Sequence, residues 1–163
     1  MSFVRFLVIS IALFAVTYAA EPRVKLGNEV LAENGFRELA GKRLGLITNP
    51  SGVNRRLETT LEVLRAAPRA NLVALFGPEH GIYGDVPAGD KIESRTDART
   101  GLPVHSLYGA TRKPTPAMLV GLDALVYDLQ DTGARSYTFV STMNSMPASP
   151  HASIASPIVL MNV

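Results

Sequence analysis

The chain has 163 residues, 47% of them apolar, with 16 Lys and Arg against 14 Asp and Glu for a net charge of +2. That much apolar matter builds one ordinary core and excludes a disordered polyelectrolyte, while so small and scattered a positive charge offers no nucleic-acid surface. With no cysteine in the sequence, a disulfide framework, a thiolate zinc site and a cysteine nucleophile are excluded together.

Residues 1–20 read as an export signal. Arg5 precedes the apolar run Phe6 to Val16, and Thr17-Tyr18-Ala19-Ala20 sets small residues at a cleavage point near Ala19 or Ala20. The run is shorter than the roughly twenty residues that cross a bilayer, so no stable membrane span is expected after cleavage. The expected product is periplasmic or secreted.

From Glu21 a first helix is predicted over Gly27 to Asn34, stopped by Gly35. Lys42 to Thr48 predicts the first strand, ended by Asn49-Pro50-Ser51-Gly52, a turn composition. Leu57 to Ala67 carries apolar residues at Leu57, Leu61, Val63 and Leu64, with Thr59 or Thr60 near its start and Pro68 beyond its end, and reads as an amphipathic helix. Asn71 to Phe76 is the second strand. Pro103 to Gly109 is a third, Pro116 to Val120 a short helix closed by Gly121, and Ala124 to Leu129 the clearest strand of all.

Strands alternating with helices at this spacing predict an α/β fold, Rossmann-like: an open, mostly parallel sheet with flanking helices, since parallel neighbours need a crossover. Ligands bind such sheets outside the carboxyl ends of the strands. That edge is expected to gather Asn49 and Ser51, then Glu79 and His80, then Tyr108, then Asp128, Asp131, Arg135 and Tyr137.

The densest chemistry lies in Phe76-Gly77-Pro78-Glu79-His80-Gly81, where Gly77 and Pro78 stop a strand and a carboxyl and an imidazole follow side by side. Either Glu79 and His80 form a site, or they are a solvated acid and a hydrogen-bonded histidine in a tight turn. The polar insertion Ile82 to Leu102 follows directly, with Asp85, Asp90, Glu93, Arg95, Asp97 and Arg99. A loop of that length is functional or disordered; it reads as a lid or substrate-binding wall, with a solvated excursion as the plainer alternative. The first loop lacks the glycine spacing of a dinucleotide site or a P-loop, so no cofactor is expected.

Four ordered stretches resemble the NamZ-type exo-β-N-acetylmuramidase family, long known only as a domain of unknown function. They are Gly45-Leu46-Ile47-Thr48-Asn49-Pro50-Ser51-Gly52-Val53, Phe76 through Ile82, Ser106-Leu107-Tyr108-Gly109 with Lys113-Pro114-Thr115, and Asp128 through Arg135 with Tyr137-Thr138. The resemblance covers about residues 24 to 143. It implies a Rossmann-like first domain, a second domain after it with the cleft between them, and release of N-acetylmuramic acid from the non-reducing ends of peptidoglycan fragments.

Glycoside cleavage needs a carboxylic acid to protonate the leaving oxygen and ordinarily a second carboxylate as base or nucleophile. Under this resemblance Glu79 is the candidate acid. His80 tunes its protonation, binds sugar, or is structural. Asp128 and Asp131 are candidates for the second carboxylate, each with a substrate-hydroxyl or helix-capping alternative. Arg135 pairs either with the lactyl carboxylate of muramic acid or with a neighbouring Asp. Tyr108 and Tyr137 stack on a sugar or pack the sheet edge, and Asn49, with Ser51 beside it, bonds a substrate hydroxyl or closes its own turn.

After Met143 the sequence departs from that family. Residues 144–163 hold three prolines amid Ser and Ala, linker composition rather than the core of a second domain. The expected organisation is a signal over 1–20, a Rossmann-like domain over 21–143 and an irregular tail over 144–163, explained by a frameshift or truncated gene that removed the second domain, with a short single-domain relative as the alternative. Two functions compete: a glycosidase of cell-wall turnover, or an exported, non-catalytic chain that at most binds muropeptides. A metal hydrolase using Glu79, His80 and Asp128 ranks third.

Overall fold

A computed structural model describes residues 24–130, 138–144 and 158–159. Its sheet runs in the order β3-β4-β2-β1-β5-β6, with β1 over Arg43–Thr48, β2 over Asn71–Gly77, β3 over Arg95–Thr96, β4 over Pro103–Ser106, β5 over Ala124–Asp128 and β6 over Ile158–Val159. Every pairing is parallel except that of β3 with β4. The expected Rossmann-like sheet is therefore present, and the strands β4, β2, β1 and β5 end together at Ser106, Gly77, Thr48 and Asp128.

Alternation along the strands assigns each side chain to one of two buried layers. Leu44, Leu46, Leu75, Ala124 and Val126 face a layer with Leu31, Leu61 and Leu64, contributed by α1 (Gly27–Glu33) and α2 (Thr60–Ala66). Ile47, Ala74, Phe76, Leu125 and Tyr127 face the opposite layer with Leu119 and Phe139, from α3 (Pro116–Leu119) and α4 (Phe139–Asn144). Covering on both faces explains why the strands read as continuous apolar runs. Gly45 lies in this second layer because a Cβ there would stand 2.7 Å from both Leu125 and Phe76; its absence lets those two side chains close over β1.

The helix ends follow local chemistry. Thr59 caps α2, its hydroxyl taking the Glu62 N–H while the Glu62 carboxylate takes the Thr59 N–H at 2.8 Å, a reciprocal arrangement whose loss costs about 1 kcal/mol. Leu57, read from sequence as part of that helix's apolar face, lies before the cap, 78% exposed and left-handed at φ 62°. Asn54 overrides the periodicity: its side-chain oxygen accepts the N–H groups of Arg56 and Glu58 at 2.9 and 3.0 Å and bends the chain into a turn. The strand predicted over Pro103 to Gly109 stops at Ser106, where the Ser106 hydroxyl accepts the Tyr108 N–H and starts the loop.

Candidate functional site

The loops at the shared carboxyl edge are tied to one another. Thr48 donates its hydroxyl to the Asp128 carbonyl at 3.0 Å, and the Gln130 N–H donates to the Ser51 hydroxyl at 2.9 Å, joining the loops after β1 and β5. Leu107 N–H donates to the Gly77 carbonyl at 2.8 Å, joining those after β4 and β2. Gly84 closes the remaining gap: a Cβ on it would come within 2.9 Å of the Pro50 ring, so the start of the insertion rests on the β1 loop. Gly52 has no room for a side chain either, with the Asp128 carbonyl 2.7 Å from where its Cβ would be.

Glu79 stands at the centre of this edge, half-buried. Its carboxylate accepts a long hydrogen bond, 3.4 Å, from the hydroxyl of Thr138 at the head of α4, and it joins none of the ion pairs among the described residues. The adjacent His80 is left-handed at φ 69°, a conformation that costs a non-glycine residue about 1 kcal/mol or more and persists where surroundings enforce it. One such constraint is the contact of its Nδ1 with the Val86 carbonyl at 3.0 Å. A carbonyl only accepts, so Nδ1 carries a proton and Nε2 is left outside this contact. This pair offers a carboxyl with spare hydrogen-bonding capacity beside an oriented imidazole.

Asn49 and Ser51 are engaged in architecture. The Asn49 side-chain oxygen accepts both the N–H and the hydroxyl of Ser51, at 2.9 and 2.6 Å, which closes the turn and leaves the amide nitrogen of Asn49 as the group open to a ligand. Tyr108 is half-buried, with the Arg112 guanidinium 4.1 Å above its ring, so one face of the ring is already covered.

Asp128 is elsewhere. Residues 124, 126 and 128 share one side of β5, and that side faces α1 and α2. Its carboxylate is 0% exposed and accepts the hydroxyl of Thr60, which in turn accepts the Asn28 side-chain amide at 2.8 Å. Glu79 instead reaches Thr138, directly before α4, on the opposite layer. Burial pushes the Asp128 carboxyl up to about 6, against the hydrogen bond from Thr60. Asp131, Arg135 and Tyr137 lie outside the described residues, as do the signal and most of the tail. Among the described residues no group of three or more His, Asp or Glu could hold a metal, and no helix is long and apolar enough to cross a membrane.

The sequence missed three partners of the site: Thr138 on Glu79, Val86 on His80 and Thr60 beneath Asp128. Thr138 had a signal, a hydroxyl residue directly before a helix. The other two are contacts of backbone or of distant chain that no spacing announces.

Residues 44–160 match the family described as exo-β-N-acetylmuramidase NamZ, N-terminal. A Bacillus subtilis protein named peptidoglycan β-N-acetylmuramidase NamZ is 50% identical over 125 residues, 77% of this chain and 30% of its own length. Two crystal structures of DUF1343 family proteins from Bacteroides fragilis are also similar. One has a TM-score of 0.74 at 54% identity over 85% of this chain and 35% of its own, and the other a TM-score of 0.56 at 33% identity over 75% and 30%. The chain thus spans about a third of the length of the relatives it matches. Because the match runs from β1 to beyond β5 and takes in the Glu79-His80 edge, the chain belongs to the NamZ exo-β-N-acetylmuramidase family, as its N-terminal domain.

Proposed function

We propose that this chain recognises the N-acetylmuramic acid end of peptidoglycan fragments at the carboxyl edge of its sheet, and that on its own it binds without appreciable turnover. The observation that carries this is Glu79, a half-buried carboxyl outside every described ion pair, next to a histidine fixed in an unusual backbone conformation. Glu79 and the Nε2 of His80 bond sugar hydroxyls or the N-acetyl group, the Asn49 amide nitrogen adds a donor, and Arg135 pairs with the lactyl carboxylate. The free face of Tyr108, and Tyr137, supply stacking surface. Export to the periplasm or beyond places the chain where such glycans are.

Absence of turnover follows from carboxylate counting. Glycoside hydrolysis ordinarily uses two carboxyl groups on either side of one bond, and of the candidates the sequence offered among the described residues Asp128 is buried on the other layer and Glu79 alone is not. Hydrolysis is the second reading, favoured by the name of the 50% identical relative. In that case Glu79 is the acid that protonates the leaving oxygen, and Asp131 is the candidate for the second carboxylate.

Isothermal calorimetry with methyl N-acetyl-β-muramide tests recognition. The wild-type chain should bind saturably, Glu79→Gln should bind within about threefold of it because the amide keeps shape and hydrogen bonding, and His80→Ala should bind about tenfold more weakly. No binding by the wild type, or a His80→Ala variant as tight as wild type, would sink the assignment.

A further inference from the structure

A pocket of about 490 Å³ opens between α1, the turn at Asn54 to Arg56 and Val63 of α2, a volume within the range of small-molecule sites. It belongs to the α1 and α2 layer, whereas Glu79 meets Thr138 beside α4 on the other layer, so nothing in it depends on the muramic acid reading. We propose that this pocket is a separate binding site for a free apolar α-amino acid, held by its ammonium group on Asn28 and by its carboxylate on the arginines of the wall.

The first argument is an orphaned acceptor. Asn28 is 1% exposed, and its side-chain nitrogen donates to the Thr60 hydroxyl at 2.8 Å. Thr60 has one hydroxyl proton and gives it to the Asp128 carboxylate, so toward Asn28 it can only accept. That fixes the amide with its nitrogen on Thr60 and leaves Oδ1 as the end for the pocket that Asn28 lines. Among the described residues this oxygen is the buried side-chain polar atom without a partner. A buried acceptor left unmet carries a desolvation cost that a ligand N–H relieves.

The remaining walls decide which donor fits. Glu29 follows Asn28 on α1, its side chain only 18% exposed, and its carboxylate accepts the Leu26 N–H at 3.0 Å and the Arg55 Nε at 2.9 Å. An ammonium group has three protons and can serve Asn28 Oδ1 and the Glu29 carboxylate together, where a hydroxyl serves one. Three cations, Lys25, Arg55 and Arg56, line the pocket against two carboxylates, Glu29 and Glu33. An entering carboxylate therefore balances the wall. Arg56 is paired with Glu58 at 2.7 Å but its side chain is 75% exposed; so solvated a pair contributes little, and its guanidinium is able to turn to a ligand carboxylate. Ala32 and Val63 add apolar surface for the side chain of the amino acid.

The pocket is also built before any ligand arrives. The Arg55 N–H donates to the Glu29 carboxylate at 3.3 Å and ties the turn to α1, while the Asn54 side chain fixes that turn from within. Fixed walls lower the ordering cost of binding.

Titration of the isotope-labelled chain at neutral pH with L-leucine, isocaproate and L-leucinamide, followed by amide chemical shifts, tests this. Leucine should shift Asn28, Ala32 and Asn54 saturably. Isocaproate lacks the amino group and leucinamide the carboxylate, and each should bind about tenfold more weakly or worse. Ala32→Trp, at an exposed position on the pocket wall, should weaken leucine by a similar factor while the other amide signals stay in place. Isocaproate as tight as leucine would mean that Asn28 Oδ1 reads nothing, and leucinamide as tight as leucine would mean that the arginines hold no carboxylate; either overturns the assignment. Absence of any leucine shift overturns it too, with a trapped water satisfying Asn28, and leaves the reading of the Glu79 edge untouched.

Discussion

Glu79 and Asp128 follow neighbouring parts of one sheet edge and have opposite surroundings, and chain geometry decides which is which. Glu79 comes two residues after β2 ends, past Gly77 and Pro78, where the backbone has left the sheet and the carboxyl meets the Thr138 hydroxyl. Asp128 is still inside β5, so strand alternation turns it under the edge onto Thr60 and Asn28. The position of Glu79 at the edge was legible in its flanking residues. Burial of Asp128 was not, because it depends on the parity of β5 and on a threonine 68 positions earlier. A carboxyl raised to about 6 from an ordinary 3.8 contributes stability that is full below the lower value and lost as pH rises through the upper one, by about 3 kcal/mol. Asp128→Asn should remove this dependence. Chemical denaturation at about pH 4 and about pH 7 should then show the variant gaining on the wild type by about 2 kcal/mol across that interval; a difference between them that does not change with pH would mean that Asp128 is not buried as a titrating acid.

The insertion is more anchored than its polar composition implied. Asp97 is buried and accepts the N–H and hydroxyl of Thr100 at 2.9 and 2.6 Å and the Tyr83 hydroxyl at 3.1 Å. Burial works to raise its pKa, and hydrogen bonds from Thr100 and Tyr83 outweigh that and hold the carboxyl below its usual range. Arg99 covers the Tyr83 ring at 4.2 Å. Tyr83 follows Glu79 by four residues, so this cluster fixes the far side of the site loop. Length and polarity pointed to function, as the sequence can; the clamp was hidden because it depends on contacts 14 residues apart, and β3, two residues long, is too short for any periodicity to mark. Asp97→Ala should speed amide deuterium exchange across 83–102 by about tenfold to a hundredfold, the loss of one to three kcal/mol of local protection, while amides of β1 and β5 keep their rates. Unchanged exchange in 83–102 would show that the pairing with β4 holds the insertion by itself.

At the scale of the molecule, a sheet with a helical layer on each face carries the site as a set of loops on one edge. The alternation of strands and helices made that architecture readable, since both layers need apolar strands and each crossover needs its helix. The site was readable only in part: the edge rule groups backbone ends, whereas side chains near the edge still divide between two layers. Of the carboxyls that the sequence offered for the site, Glu79 is at the edge and Asp128 is buried beneath it, and the proposed recognition without turnover rests on that difference. Release of chromophore from an aryl N-acetyl-β-muramide measures this directly, run on the wild-type chain and on Glu79→Gln at substrate concentrations where calorimetry shows binding. The account predicts that both release chromophore at the same background rate. Sustained release by the wild type, lost in Glu79→Gln, would contradict it and establish the chain as a complete glycosidase with a second catalytic group of its own.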